Sequence, residues 1–230
     1  MFADHPEIGQ TCLIGSLDAP PLVSYGSPMA IHSGRHQFGM DKGRITLRTF
    51  RDGLAAQAGH DLTIDAVRWS AELVVTEDLA PASLTVTVDL NSLVVRDGTG
   101  GLKPLTDRDR REIGVTARKV LKADRFPEAV FSAAEFKPAP DTTDGSAATP
   151  ATEAAGTVRG TLRLAGQSGP LELKVRSAGS ARYAATTTIR QTDFGIKPYS
   201  GFLGALKVRD TVEVEVEVDL SVAAERESAA

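Results

Sequence analysis

A single cysteine, Cys12, stands in the 230 residues. One thiol cannot form an intrachain disulfide, and it excludes cysteine-based zinc clusters within one chain. Aromatic residues make up only 5% of the chain, too few for the exposed stacking platforms with which barrels hold single-stranded nucleic acid. Charge of neither sign dominates: 26 Lys and Arg face 30 Asp and Glu, for a net charge of −4. No general attraction to nucleic acid or an anionic surface follows, and no nucleic-acid partner is expected. Unbroken apolar runs last only a few residues, far short of the roughly 20 that span a bilayer, so stable membrane insertion is not expected. The N-terminus carries Asp4 and Glu7 where an export signal wants Lys or Arg. A cytoplasmic protein is therefore the expectation. Catalytic signatures are missing as well: there is no Gly-x-Ser-x-Gly elbow, no Walker loop and no Gly-x-Gly-x-x-Gly after a strand. The Gly-rich Asp97–Gly101 leads into LKPLTD rather than a helix, and turn chemistry explains it better than phosphate binding.

What is present is a globular composition, 41% hydrophobic and 24% charged, enough for one sizeable core. Residues 1–42 hold four prolines and three of the four histidines without sustained periodicity, and are read as an irregular arm. The run 137–156, KPAPDTTDGSAATPATEAAG, is too poor in apolar residues to repay ordering and is read as a disordered loop insert. Residues 223–230 are read as a disordered tail. One domain over 43–222 remains.

Within it, alternation is the main signal. Val212, Val214, Val216, Val218 and Leu220 fall on one face of TVEVEVEVDLSV, with Glu213, Glu215, Glu217 and Asp219 on the other. At about 3.3 Å per residue such a strand reaches roughly 30 Å, natural for a barrel wall. Leu84, Val86, Val88 and Leu90 repeat the pattern, as do Val158, Leu162 and Leu164, and then Leu171, Leu173 and Val175. One-sided burial implies antiparallel pairing. Gln167–Pro170 reads as the turn of a hairpin. A single helix interrupts the strands at TDRDRREIGVTARKVL, with Thr106 as N-cap, Asp109 in the capping-box position and Ile113, Ala117, Val120 and Leu121 on one stripe. Its outer face, with Arg108, Arg110, Arg111, Arg118 and Lys119 beside Asp107, Asp109 and Glu112, reads as a solvated surface with pairs such as Asp107 and Arg111, or alternatively as a docking patch. The expected fold is all-β with one connecting helix: an antiparallel barrel or sandwich, with closure into a barrel of about eight strands the favoured form. Its interior holds either packed side chains or one small apolar ligand.

Candidate chemistry is sparse. His60, beside Asp61, reads either as a hydrogen-bonded structural histidine or as a general base. His32 and His36 stand four apart, but Ser33-Gly34 between them weakens a metal reading. No metal, cofactor or catalytic residue is expected. Phe50, Trp69, Phe131, Phe136, Phe194, Tyr199 and Phe202 fall where they fill a core or line a ligand cavity.

The order of these pieces resembles the YceI-like family of bacterial lipocalin-like barrels. The resemblance rests on Gly59-His60-Asp61, DLNSLVVRDGTGG, the connecting helix, RFPEAVFSAAEF, VRGTLRLAGQSGPLEL and, above all, IRQTDFGIKPYSGFLGALKVRDTVEVEVEV. It implies a closed antiparallel, lipocalin-like barrel around an elongated apolar cavity that binds a polyisoprenoid, fatty-acid-like or other long amphiphile. Arg190, Asp193, Phe194 and Gly195 match the family's Arg and Asp-Phe-Gly positions. Their plain reading is structural, a corner closed by Arg190 with Asp193 and a bend at Gly195; direct ligand contact is the alternative. The expected ligand-binding set is Phe50, His60, Trp69, Phe131, Phe136, Arg190, Phe194, Tyr199 and Phe202. The expected function is non-enzymatic sequestration or carriage of a long apolar ligand. The alternative is a packed scaffold that recruits a protein partner, or a second copy as a homodimer, through the charged helix or the arm.

Overall fold

The structure, a computed structural model, describes residues 33–78, 80–138, 154–178 and 181–221. Cys12, His32, the arm to residue 32, most of the insert and the tail lie outside the described residues, so the expectations about them do too.

The described chain is mostly β. Its strands are β1 (Gly34–Gly39), β2 (Gly43–Asp52), β3 (Asp61–Ala66), β4 (Trp69–Val75), β5 (Pro81–Asp89), β6 (Leu93–Thr99), β7 (Glu128–Pro138), β8 (Ala154–Leu164), β9 (Gln167–Ser177), β10 (Arg182–Arg190), β11 (Ser200–Gly201) and β12 (Leu206–Asp219). One α-helix, α1 (Asp107–Val120), connects β6 to β7. All strands join one curled antiparallel sheet in the order β1-β4-β5-β7-β8-β9-β10-β12-β2-β3-β6, with β11 paired on β12. β1 lies inside the segment expected to be an irregular arm, and pairs along its length with β4.

The twelve described strands differ from the eight expected because β11 is a two-residue addition paired on β12 and because three short breaks, or corners, divide neighbouring strands. β1 and β2 are separated only by residues 40–42, β3 and β4 by Val67 and Arg68, and β5 and β6 by a single turn, Leu90–Ser92. The two halves of each pair ladder to different neighbours: β3 lies between β2 and β6, whereas β4 lies between β1 and β5. Hydrogen bonds at buried Ser92 hold the corner. Its hydroxyl accepts from the Arg68 backbone N–H at 3.0 Å and donates to the Asp89 carbonyl at 2.7 Å, while its carbonyl accepts from Val67 N–H. The Arg68 guanidinium donates twice to the Asp89 carboxylate, at 2.7 and 2.9 Å. Partial burial pushes that carboxyl upward, but Arg68 and the Asn91 N–H outweigh it and leave the pKa below the ordinary value.

The hairpin expected to turn at Gln167–Pro170 turns earlier. Those four residues already belong to β9, where Pro170 pairs with Thr161. The turn is Ala165-Gly166, both at positive φ (51° and 82°), the backbone that a two-residue connection between twisted strands demands. Helix α1 begins as read: Thr106 and Asp109 form a reciprocal capping box. Its outer ion pairs are Arg108 with Glu112 and Arg110 with Asp107, not Asp107 with Arg111. Three- and four-residue spacings both bring helix side chains together.

Candidate functional site

Because successive side chains of a strand face opposite ways, the alternating apolar positions of the curled sheet converge on its concave side. They do not fill it. A cavity of about 730 Å³ remains, walled by Leu84, Val86 and Val88 of β5, Leu162 and Leu164 of β8, Leu171, Leu173 and Val175 of β9, and Val212, Val214, Val216 and Val218 of β12. That volume lies in the range of small-molecule sites. Among the described residues Lys137 is the one charged side chain on this wall, at a rim shared with Pro81, Pro138 and Gly156. Tyr183, Thr187 and Gln191 supply scattered polarity. Among the described residues the buried Trp69 indole Nε1 has no hydrogen-bond partner, and its ring meets Phe38 edge-on, centroids 6.3 Å apart.

A second compartment of about 400 Å³ lies between α1 and the β2-β3-β12 wall. Ile113, Ala117 and Val120, the inner stripe of α1, face Leu47, Leu62, Ile64 and Val212 across it. Leu47, Leu93, Leu121, Gln191 and Val212 border both spaces, so the end of α1 and the Gln191 turn divide one interior into two chambers. Gln191 is fixed there by donating to the Arg209 carbonyl at 2.9 Å.

The second chamber has a more polar lining. Arg51 spans its edge, donating to the carbonyls of Gly59 at 2.9 Å and Thr99 at 3.3 Å. Its own N–H donates to Asp61 Oδ1 at 2.9 Å. The glycines of the Asp97–Gly101 run now have a cause: a Cβ on Gly100 would stand 1.6 Å from the Arg51 guanidinium, and one on Gly101 would stand 2.4 Å from the His60 ring. Both adopt positive φ. His60 Nε2 pairs with the Lys103 carbonyl at 2.8 Å. The structure thus ties His60 to a loop and gives Asp61 to Arg51, so the two do not form the acid–base pair considered from sequence. Among the described residues no group of three or more His, Cys, Asp or Glu is placed to hold a metal ion.

The expected site residues divide accordingly. Trp69, Phe131 and Phe136 border the large cavity, and His60 and Tyr199 the second chamber. Four stand elsewhere. Phe50 shares a face of β2 with Arg48, opposite to Ile45, Leu47 and Thr49, and lies under the Arg209 guanidinium 5.6 Å from its ring centre. Arg190 likewise faces outward and pairs with Asp210 at 3.7 Å, not with Asp193. Asp210 also accepts from the Thr192 hydroxyl and N–H, at 2.6 and 2.9 Å, and the hydroxyl bond leads in holding its pKa low. Phe194 is buried in the core, its ring over Gly169, with Gly195 bending the chain after it at φ 62°. Phe202 is 71% exposed on a loop tip. Residues missed from sequence are the corner set Arg68, Asp89 and Ser92, the dividing Gln191 and the edge-spanning Arg51. The parity of β2 carried a signal for Phe50; nothing in residue type marked Ser92.

A family model described as the YceI-like domain matches residues 37–220. Among solved structures, the chain is similar to Burkholderia cenocepacia BcnA at 15% identity, covering 78% of this chain and 96% of that one with a TM-score of 0.49. It is also similar to the Campylobacter jejuni YCEI protein at 17% identity, covering 67% and 83% with a TM-score of 0.38. No curated protein matches the chain.

Proposed function

The chain belongs to the YceI-like family, and from that premise we propose that it is a non-enzymatic binding protein that sequesters or carries a long apolar or amphiphilic molecule of polyisoprenoid or fatty-acid-like character. The observation that carries this reading is the cavity of about 730 Å³, bordered almost throughout by aliphatic and aromatic side chains. An apolar space of that size is an unfavourable place for water and a favourable one for methylene groups, each contributing about 0.8 kcal/mol on burial. Affinity should therefore rise by about fourfold per added methylene until the space is full. The unpartnered indole N–H of Trp69 supports a ligand that brings an acceptor oxygen as well as a chain, because an unmet buried donor is costly.

Closure of the wall belongs to the same proposal. Taking β1 with β2, β3 with β4 and β5 with β6 as single strands bent at their breaks, and setting aside the two-residue β11, leaves eight, with β7, β8, β9, β10 and β12. Each then ladders to the next in chain order, and β12 pairs back onto β2. Trp69, Phe131 and Phe136 would contact the chain of the ligand, and His60 and Tyr199 the contents of the second chamber. The alternative of a scaffold recruiting partners through α1 gains no support: Arg108 and Arg110 pair with carboxylates of their own helix.

Native purification followed by solvent extraction and mass spectrometry tests the reading. A stoichiometric long-chain species is expected. A chain that yields none, and takes up none after incubation with long-chain lipids, would overturn it.

A further inference from the structure

At the end of the sheet where β2 meets β3, three loops adjoin. The 53–60 loop is bonded on one side to the 195–206 segment, by Ala55 N–H to the Ala205 carbonyl at 2.8 Å. On its other side it meets the 100–105 loop, by His60 to the Lys103 carbonyl. Of the nine large apolar side chains exposed among the described residues, five sit on these loops: Leu54, Leu102, Tyr199, Phe202 and Leu203. Leu54 and Leu203 are fully exposed. Phe202 and Leu203 are also held at positive φ, 46° and 54°, a backbone that large side chains rarely adopt and that a folded chain keeps only where its surroundings enforce it. The charge is one-sided as well. Lys103 and Lys197 are the charged side chains of the three loops, with no Asp or Glu among them, in a chain whose net charge is −4.

We infer that this end docks on a lipid surface, with Leu54, Leu102, Phe202 and Leu203 entering the acyl boundary, Tyr199 at headgroup level and the two lysines against lipid phosphates. The features that single out this occupant are protrusion and charge. Isolated apolar tips that stand clear of the fold suit a deformable interface, where amphipathic aromatic and basic groups settle. The loops carry two lysines and no carboxylate of their own, and Asp52 at the foot of the first loop accepts from the Gly53 N–H at 2.7 Å, so the balance at the tips favours anionic headgroups. Two of these loops border the second chamber, through Ala58, Gly59, His60 and Tyr199, so docking would set that chamber against the bilayer from which an apolar ligand comes. The inference goes beyond ligand binding as such and rests on the opposite end of the molecule from the Lys137 rim.

Flotation of the full chain with vesicles of phosphatidylcholine containing a minor share of phosphatidylglycerol tests it. The wild type should float with the vesicles. The combined Leu54→Ser, Leu102→Ser, Phe202→Ser and Leu203→Ser variant should partition at least about tenfold more weakly with an unchanged melting temperature, since the four side chains support no core. Leu203→Trp should shift its emission to the blue on vesicle addition, while Val94→Trp, on the outer wall, should not. A wild type that stays with the buffer, a four-site variant that floats equally well, or an unshifted Leu203→Trp would each overturn the inference. So would a wild-type dimer that the four-site variant splits, if neither binds vesicles, because the tips would then meet a second copy. Ligand content is measured on the same preparations: a chain that floats but holds no ligand supports docking while contradicting the cavity reading.

Discussion

The two chambers are built from the same wall but differ in what completes them. The larger is walled mainly by β-strands and bordered by aliphatic side chains, with Lys137 at its rim. The smaller is covered by a helix and edged by Arg51, His60, Glu112 and Lys207. A chamber made of ladders is as rigid as the sheet, whereas one roofed by a single helix depends on that helix's caps and inner stripe. Under the proposed function, the contrast puts ligand retention in the first chamber and adaptability in the second.

The largest effect separating them should come from their walls. Leu162, buried in β8 and bordering the large cavity, should cost about 3 kcal/mol when replaced by Ala. Half-buried Ile113 on α1 should cost closer to 1 kcal/mol. Chemical denaturation of both variants measures the difference, and equal losses would break the contrast. Next is the corner: Ser92→Ala removes the acceptor for Arg68 N–H and should cost about 2 kcal/mol, since an unmet buried group loses its full desolvation penalty. Thr106→Ala removes the cap of α1 and should cost about 1 kcal/mol. Hydrogen exchange should then rise in α1 while β8 and β9 stay protected. The smallest effect is acidic. The Ser221 hydroxyl and N–H, with Arg182, hold the Asp219 carboxyl down at about 2. A carboxyl lowered on folding contributes stability above its ordinary pKa of about 3.9 and loses it as pH falls through about 2. Asp219→Asn should therefore lower the melting temperature slightly near neutrality, with the difference from wild type vanishing as pH falls through about 2.

Alternation made the walls legible because one-sided burial forces a period of two: the faces read for Val212–Leu220 and Leu84–Leu90 are those that border the large cavity. The helix was equally plain, its cap and inner stripe being local. The corners were not, because Leu90 continues the apolar parity of β5 straight through the break, and a bend that keeps parity leaves no trace in the pattern. Aromatic type alone misplaced Phe50, whose parity with Arg48 puts it outside. Arg190 shares the outward parity of Thr186 and Thr188. Its partner Asp210 is distant in sequence and came only with the register of β10 on β12. Phe202 illustrates another limit: its exposure follows from a left-handed bend that its residue type does not favour.

The central claim is that the large chamber holds the ligand. Ala71, on β4, borders that chamber and not the second, so Ala71→Trp fills the first and spares the other. Titration of delipidated wild type and Ala71→Trp with a fluorescent long-chain fatty acid tests the claim most directly. Saturable one-to-one binding to the wild type, lost in a folded Ala71→Trp, is the expected result; equal binding by both, or none by the wild type, would contradict the account.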